Sequence, residues 1–188
     1  MTSILANIGI AIMAVLMALP LVYIVMAKAL KRENDNLARL LTFTAACIDA
    51  VNEKIGRTVA WLALLMVLVQ TAVVLQRYVF GVNFIWMQES ITYMHGMLFM
   101  IAAGFTLLHG GHVRVDIFYR EATPKRKALT DFIGTYLFLF PVMAVIWFMA
   151  FPYVEISWRI AEGSTETSGI QGVYLLKSVI LVFATVMA

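Results

Sequence analysis

Residues 77–90 read RYVFGVNFIWMQES, a short break between two long apolar runs. On either side, residues 58–80 and 86–108 each hold enough apolar side chains to cross a hydrocarbon core of roughly 30 Å, which takes about 20 helical residues. The break is therefore expected to be a tight hairpin between antiparallel membrane helices. Arg77 and Glu89 stand twelve positions apart across it. A charge near a bilayer core is costly, so these two residues need a reason to be there.

The same reading extends to the whole chain. Its 188 residues are 62% hydrophobic and 13% charged, whereas soluble domains run at about 45–50% apolar and about 25% charged. Further apolar runs over 4–27, 132–154 and 170–188 bring the expected transmembrane helices to about five. None has the strict alternation of a lipid-facing barrel strand. Helices satisfy their own backbone polar groups in lipid, so the expected fold is an all-α integral membrane protein. Pro20, Pro141 and Pro152 fall in or at the ends of these runs, where membrane helices tolerate kinks. Segment 4–27 has no Lys or Arg before Lys28 and is far longer than a 7–15-residue signal-peptide core. It is expected to be a retained span. The last run, measured from Val173, reaches about 24 Å at 1.5 Å per residue. That is short of a full crossing, which leaves open a continuation of the natural chain.

Charge sets an expected orientation. Eleven of the fourteen basic residues fall between spans one and two or between spans three and four. The positive-inside rule places those two loops in the cytoplasm. The N-terminus and the loops holding Arg77 and Arg159 then face the other side, and the C-terminus is cytoplasmic. Three regions follow: an N-terminal helix over 1–30, a cytoplasmic or interfacial segment over 31–57, and a helical bundle over 58–188. In RLLTFTAACIDAVNEKIGR (39–57), Leu41, Ala45, Ile48, Val51 and Ile55 recur at three- and four-residue spacing. That pattern fits an amphipathic helix in the membrane interface or a cytoplasmic extension of the second span. REATPKRKALTDFIG (120–134) is a second short interfacial candidate, with Pro124 suited to a first helical turn.

Little points to chemistry. The single Cys47 rules out an intrachain disulfide framework and multi-cysteine metal sites. His95 and His109 lie on one helix and cannot face each other across a haem. His112 and Asp116 are four apart, but two ligands make weak evidence for a metal. No nucleophile–base pair, phosphate loop or carboxylate dyad is present. No cofactor, enzymatic activity or nucleic-acid partner is expected; the lipid bilayer is. Trp61, Trp86, Tyr119, Tyr153 and Trp158 read as interface anchors. For Arg77 and Glu89 three roles stay open: a salt bridge that clamps the hairpin or serves docking, snorkelling of the arginine to the headgroups, or an ion pathway. A pathway would place more ionisable groups at depth.

RYVFGVNFIWMQESITYMHGMLFMIAAGFTLLHGGHVRVDIFY (77–119) resembles the small, Q-type membrane subunit of tripartite ATP-independent periplasmic (TRAP) transporters. The resemblance rests on Arg77 to Phe80 ending one span, Trp86 with Glu89 opening the next, and His112 with Val115 and Asp116 at the following edge. It covers roughly residues 45–188. Two details depart from the pattern: Gln88 precedes Glu89 where two acids are common, and His109 stands near the place of a basic residue. The family's small subunit usually has four spans, so 4–27 is an extra N-terminal helix. The resemblance implies a non-catalytic subunit in the bacterial inner membrane. Its implied partners are a large permease subunit, which carries the sodium and substrate sites, and a periplasmic binding protein that delivers an organic acid. Arg77, Trp86 and Glu89 would lie on the docking side, and His112, Arg114 and Asp116 would fix the cytoplasmic edge. The alternative is an accessory structural subunit of another multi-subunit membrane complex, photosynthetic or respiratory, built on a similar bundle.

Overall fold

The computed structural model describes residues 39–112 and 119–188, the backbone of 35–38, and positions 7, 9–11, 14–15, 18 and 21–22 near the N-terminus. Every regular element among them is helical. Helix α1 spans Asp35–Val79 and α2 spans Ile85–Leu108. Helix α3, Pro124–Gly134, runs through a π-helical turn, Thr135–Leu139, into α4, Phe140–Arg159. Helix α5 spans Val173–Met187. Among the described residues three stretches, Arg39–Val79, Ile85–Leu108 and Pro124–Arg159, are long and apolar enough to cross a membrane. The 15 residues of α5 reach only about 22 Å. Most of the expected span 4–27 lies outside the described residues; those described within it are helical.

The segment 39–57 is the N-terminal part of α1, continuous with the second span. Nothing in it breaks a helix. No proline occurs there, and Glu53 and Arg57 form an ion pair at 2.6 Å across one turn, a spacing that supports helix continuity. The 120–134 candidate is likewise joined to the span that follows it. Pro124 occupies its first turn, where a missing N–H costs nothing. The π turn falls just before Pro141, which has no N–H to give the preceding turn and crowds it sterically. Widening the helix there, with the Phe140 N–H bonded back to Thr135 O, lets it continue past the proline.

Glycines set how closely the helices approach. Helix α2 packs on α1 and α5, and α5 packs on α4. A Cβ on Gly96 would lie 3.1 Å from Leu176 of α5. One on Gly104 would lie 2.8 Å from the backbone oxygen of Val186 and 3.3 Å from Asn52 Oδ1. Three helices therefore meet at Gly104. Small residues at such contacts are the usual means of close packing in lipid, where helix association gains little from the hydrophobic effect. Gly9 lies against the indole of Trp147 on α4. The buried core is small, centred on Met143, Ala184 and Met187. Leu68, Phe99, Leu137 and Phe148 point outward, as lipid-facing side chains do.

Candidate functional site

The hairpin between α1 and α2 and the loop between α4 and α5 lie at the same end of the bundle. Gly81, with φ of 66°, takes the left-handed conformation that turns the chain out of α1. The Val82 N–H returns to Gln76 O at 3.1 Å. Helix α4 ends in a Schellman turn: the Glu162 N–H bonds to Ser157 O at 3.0 Å and the Ala161 N–H to Trp158 O at 3.2 Å. Ala161 adopts φ of 47° there, where glycine is the usual residue.

Glu89 is tied to the α4–α5 loop. The Ser164 hydroxyl donates to Glu89 Oε1, and the Ile170 N–H donates to Glu89 Oε2 at 2.6 Å. Ser164 Oγ also accepts the Glu166 N–H at 3.1 Å. Gly169 passes so close that a Cβ there would sit 2.6 Å from Glu89 Oε2. A carboxylate that accepts backbone and hydroxyl donors makes strong, charge-assisted bonds.

The Arg77–Glu89 salt bridge, one of the three roles left open for these residues, is not among the ion pairs of the described residues. Successive helical residues are rotated by about 100°, so Gln88 and Glu89 face different neighbours. Gln88 shares a cleft of about 310 Å³ with Arg77, Tyr78 and Ile91 and donates to Asn83 Oδ1 at 3.0 Å. Glu89 points to the loop. Arg77 is exposed in the last turn of α1, where a cation is favoured by the helix dipole. Trp86 is 51% exposed beside the Phe84 ring.

A second anchor holds the same loop. Lys177, one turn into α5, contacts Glu162 Oε2 at 2.5 Å and lies 4.0 Å from the centroid of the Tyr153 ring. Its side chain is only 15% exposed. The ammonium beside Glu162 holds that carboxyl below its ordinary value of 4.5. Trp158 Nε1–H donates to Ser178 Oγ at 2.7 Å, and its ring meets Tyr174 edge-on at 4.7 Å. Two residues expected as interface anchors, Tyr153 and Trp158, thus also fasten α4 to α5. The loop is bound at one side to α2 and at the other to α5.

At the opposite end, Glu53 joins α1 to α2. It bonds Arg57 and also meets His109 Nε2 at 3.2 Å. His112 is exposed beyond the end of α2; Arg114 and Asp116 lie outside the described residues. Among the described residues no three His, Cys, Asp or Glu side chains gather as a metal site would require.

Sequence reasoning passed over Ser164, Ile170 and Lys177. The signal for Lys177 was partial: an ionisable residue inside an apolar run implies a partner, but two acids, Glu162 and Glu166, precede it in the loop, and their order in the chain does not choose between them. The Ser164 and Ile170 contacts span 75 and 81 residues and leave no local pattern.

A family model described as Tripartite ATP-independent periplasmic transporters, DctQ component, matches residues 65–188. No curated protein and no solved structure matches the chain.

Proposed function

The chain belongs to the DctQ component family of the tripartite ATP-independent periplasmic transporters, and from this we propose that it scaffolds a large permease subunit and helps dock a periplasmic binding protein during sodium-driven uptake of an organic acid. The family match over 65–188 is the observation that carries the reading. The geometry supports it in two ways. The apolar surface exposed along the spans suits contact with lipid and with a larger membrane partner. At the hairpin end, a loop held by Glu89 and by the Glu162–Lys177 pair forms a fixed surface beside exposed Arg77 and Trp86. A surface ordered before the partner arrives loses less entropy on docking.

In this reading the hairpin end faces the periplasm, the basic end faces the cytoplasm of a bacterial inner membrane, and the extra N-terminal helix lies at or near the permease contact. Arg77 and Trp86 face the binding protein, while Glu89 acts behind them by holding the loop. A photo-crosslinking residue in place of Trp86, activated in intact cells, tests the docking role. The expected product is an adduct with a soluble periplasmic binding protein. Adducts with lipid alone would contradict it.

A further inference from the structure

Polar side chains on the outer face of the α1–α2 pair stand at membrane depth with nothing to bond to. His95 lies ten steps into α2 from Ile85, about 15 Å at 1.5 Å per residue. That is half of a hydrocarbon core of roughly 30 Å. His95 is exposed. The Phe99 ring lies 6.5 Å from its ring between centroids and offers no donor or acceptor. Among the described residues no hydrogen bond or ion pair engages the imidazole nitrogens.

Gln70 of α1 stands level with it. Arg77 and Gln88 meet in one cleft at the hairpin end. Both helices descend from there at the same rise, so seven steps further residue 70 of α1 and residue 95 of α2 reach the same depth. Gln70 lines that cleft with Val74, Gln88 and Ile91. His95 follows Ile91 by four residues and Gln88 by seven, which continues the same face of α2. Gln70 is exposed, and no hydrogen bond holds its amide among the described residues. Thr92, one turn above His95, is exposed as well. The hydroxyls of Thr71 and Thr106 bond back to their own helices, to Val67 O at 2.8 Å and Ala102 O at 3.0 Å. The hydroxyl of Thr92 makes no such bond among the described residues.

Hydrocarbon cannot satisfy these groups. Acyl tails carry no donor or acceptor, and the headgroups lie about 10–15 Å away along the helix, too far for Gln or His side chains to snorkel. Membrane helices turn such residues toward other helices, where imidazole, amide and hydroxyl groups hydrogen-bond across the contact. No described element covers them. We propose that the α1–α2 face bearing Gln70, Thr92 and His95 is where the large permease subunit packs. The helix laid there presents hydrogen-bonding side chains (carboxylate, amide or hydroxyl) at mid-membrane depth. The inference rests on the proposed scaffold role and adds to it the face and the chemistry of the contact.

The test uses the full tagged chain in its native membranes. A photo-crosslinking residue replaces Val74, in the cleft, or Leu68, exposed about 200° around α1 from Gln70. The large subunit should crosslink from position 74 and not from position 68. His95→Leu should leave the thermal midpoint of the isolated chain unchanged or higher, since no described contact uses the imidazole nitrogens. The same change should lower the large subunit retained in mild detergent by about threefold, and by about tenfold with Gln70→Leu added. His95→Gln, which keeps a hydrogen-bonding side chain, should restore most of the retention. A large subunit that crosslinks only from position 68, or that His95→Leu retains in full, would overturn the inference and leave the scaffold role standing. Recovery of no large subunit would sink both. Crosslinks between two copies of this chain, or a tetrapyrrole recovered with the wild type and lost with His95→Leu, would give the face another occupant and also overturn it. The crosslink from position 74 keeps Gln70 and His95 in place, so it decides the matter even where the leucine variants fail to insert.

Discussion

The Ile170 N–H lies 2.6 Å from Oε2 of Glu89, 81 residues earlier in the chain. With the Ser164 hydroxyl on Oε1, one carboxylate at the start of α2 holds two points of the α4–α5 loop. The α4–α5 loop is thus held at points other than its ends. It is pinned near its middle, and Glu162 with Lys177 pins it again. The fixed surface at the hairpin end is thus a product of carboxylate chemistry.

Removing these bonds should loosen the loop in a pattern that separates the partners. Glu89→Gln and Ser164→Ala should each speed proteinase K cleavage between residues 163 and 169, and the double variant should be less than additive because the two groups share a bond. Arg77→Gln combined with Glu89→Gln should be additive. Coupling between Arg77 and Glu89 in that cycle would restore the salt bridge that the structure lacks.

The second anchor should respond to acid. Lys177 keeps the Glu162 carboxyl below its ordinary value of 4.5. A carboxyl whose folded value is depressed contributes its stability above the unfolded value and loses it as pH falls through the folded one. Loop protection should therefore hold from neutral pH down to about pH 4.5 and decline below it. Glu162→Gln should start from weaker protection and lose this acid-dependent component. An identical acid profile in wild type and Glu162→Gln would show that another group sets it.

Ala161 stores backbone strain at the turn that delivers Glu162 to Lys177. A left-handed conformation costs an L-residue roughly 1–2 kcal/mol, and glycine avoids it at some loss of chain entropy. Ala161→Gly should stabilise the bundle by up to about 1 kcal/mol, read as a higher midpoint in thermal unfolding. A lower midpoint would mean that the alanine methyl makes a contact worth more than the strain.

Much of this fold was legible because hydrophobic length and charge asymmetry are local signals. The spans 58–80 and 86–108 match the apolar parts of α1 and α2, and Gly81 marks the hairpin between them. Pro124 marked the start of α3. Two things were less accessible. The continuity of α1 through residues 39–57 could not be told from a bend, because an amphipathic stripe fits both an interfacial helix and an extended span. The contacts of Glu89 were not foreseen: a pair with Arg77, its nearest charge in sequence, was one of three roles left open, whereas the contacts formed are to neutral donors on a distant loop. A one-residue step on α2, about 100° of rotation, is what turns Glu89 from α1 toward that loop.

The central claim is that this chain is the small partner of a larger transport protein, and purification of the intact tagged chain from its native membranes tests it most directly. The expected result is stoichiometric recovery of one large multi-pass permease subunit of the same transporter class, retained in mild detergent and reduced when residues 1–27 are deleted from a chain that still inserts. Recovery of pigment- or cofactor-bearing subunits in its place would contradict the account and assign the bundle to a photosynthetic or respiratory assembly.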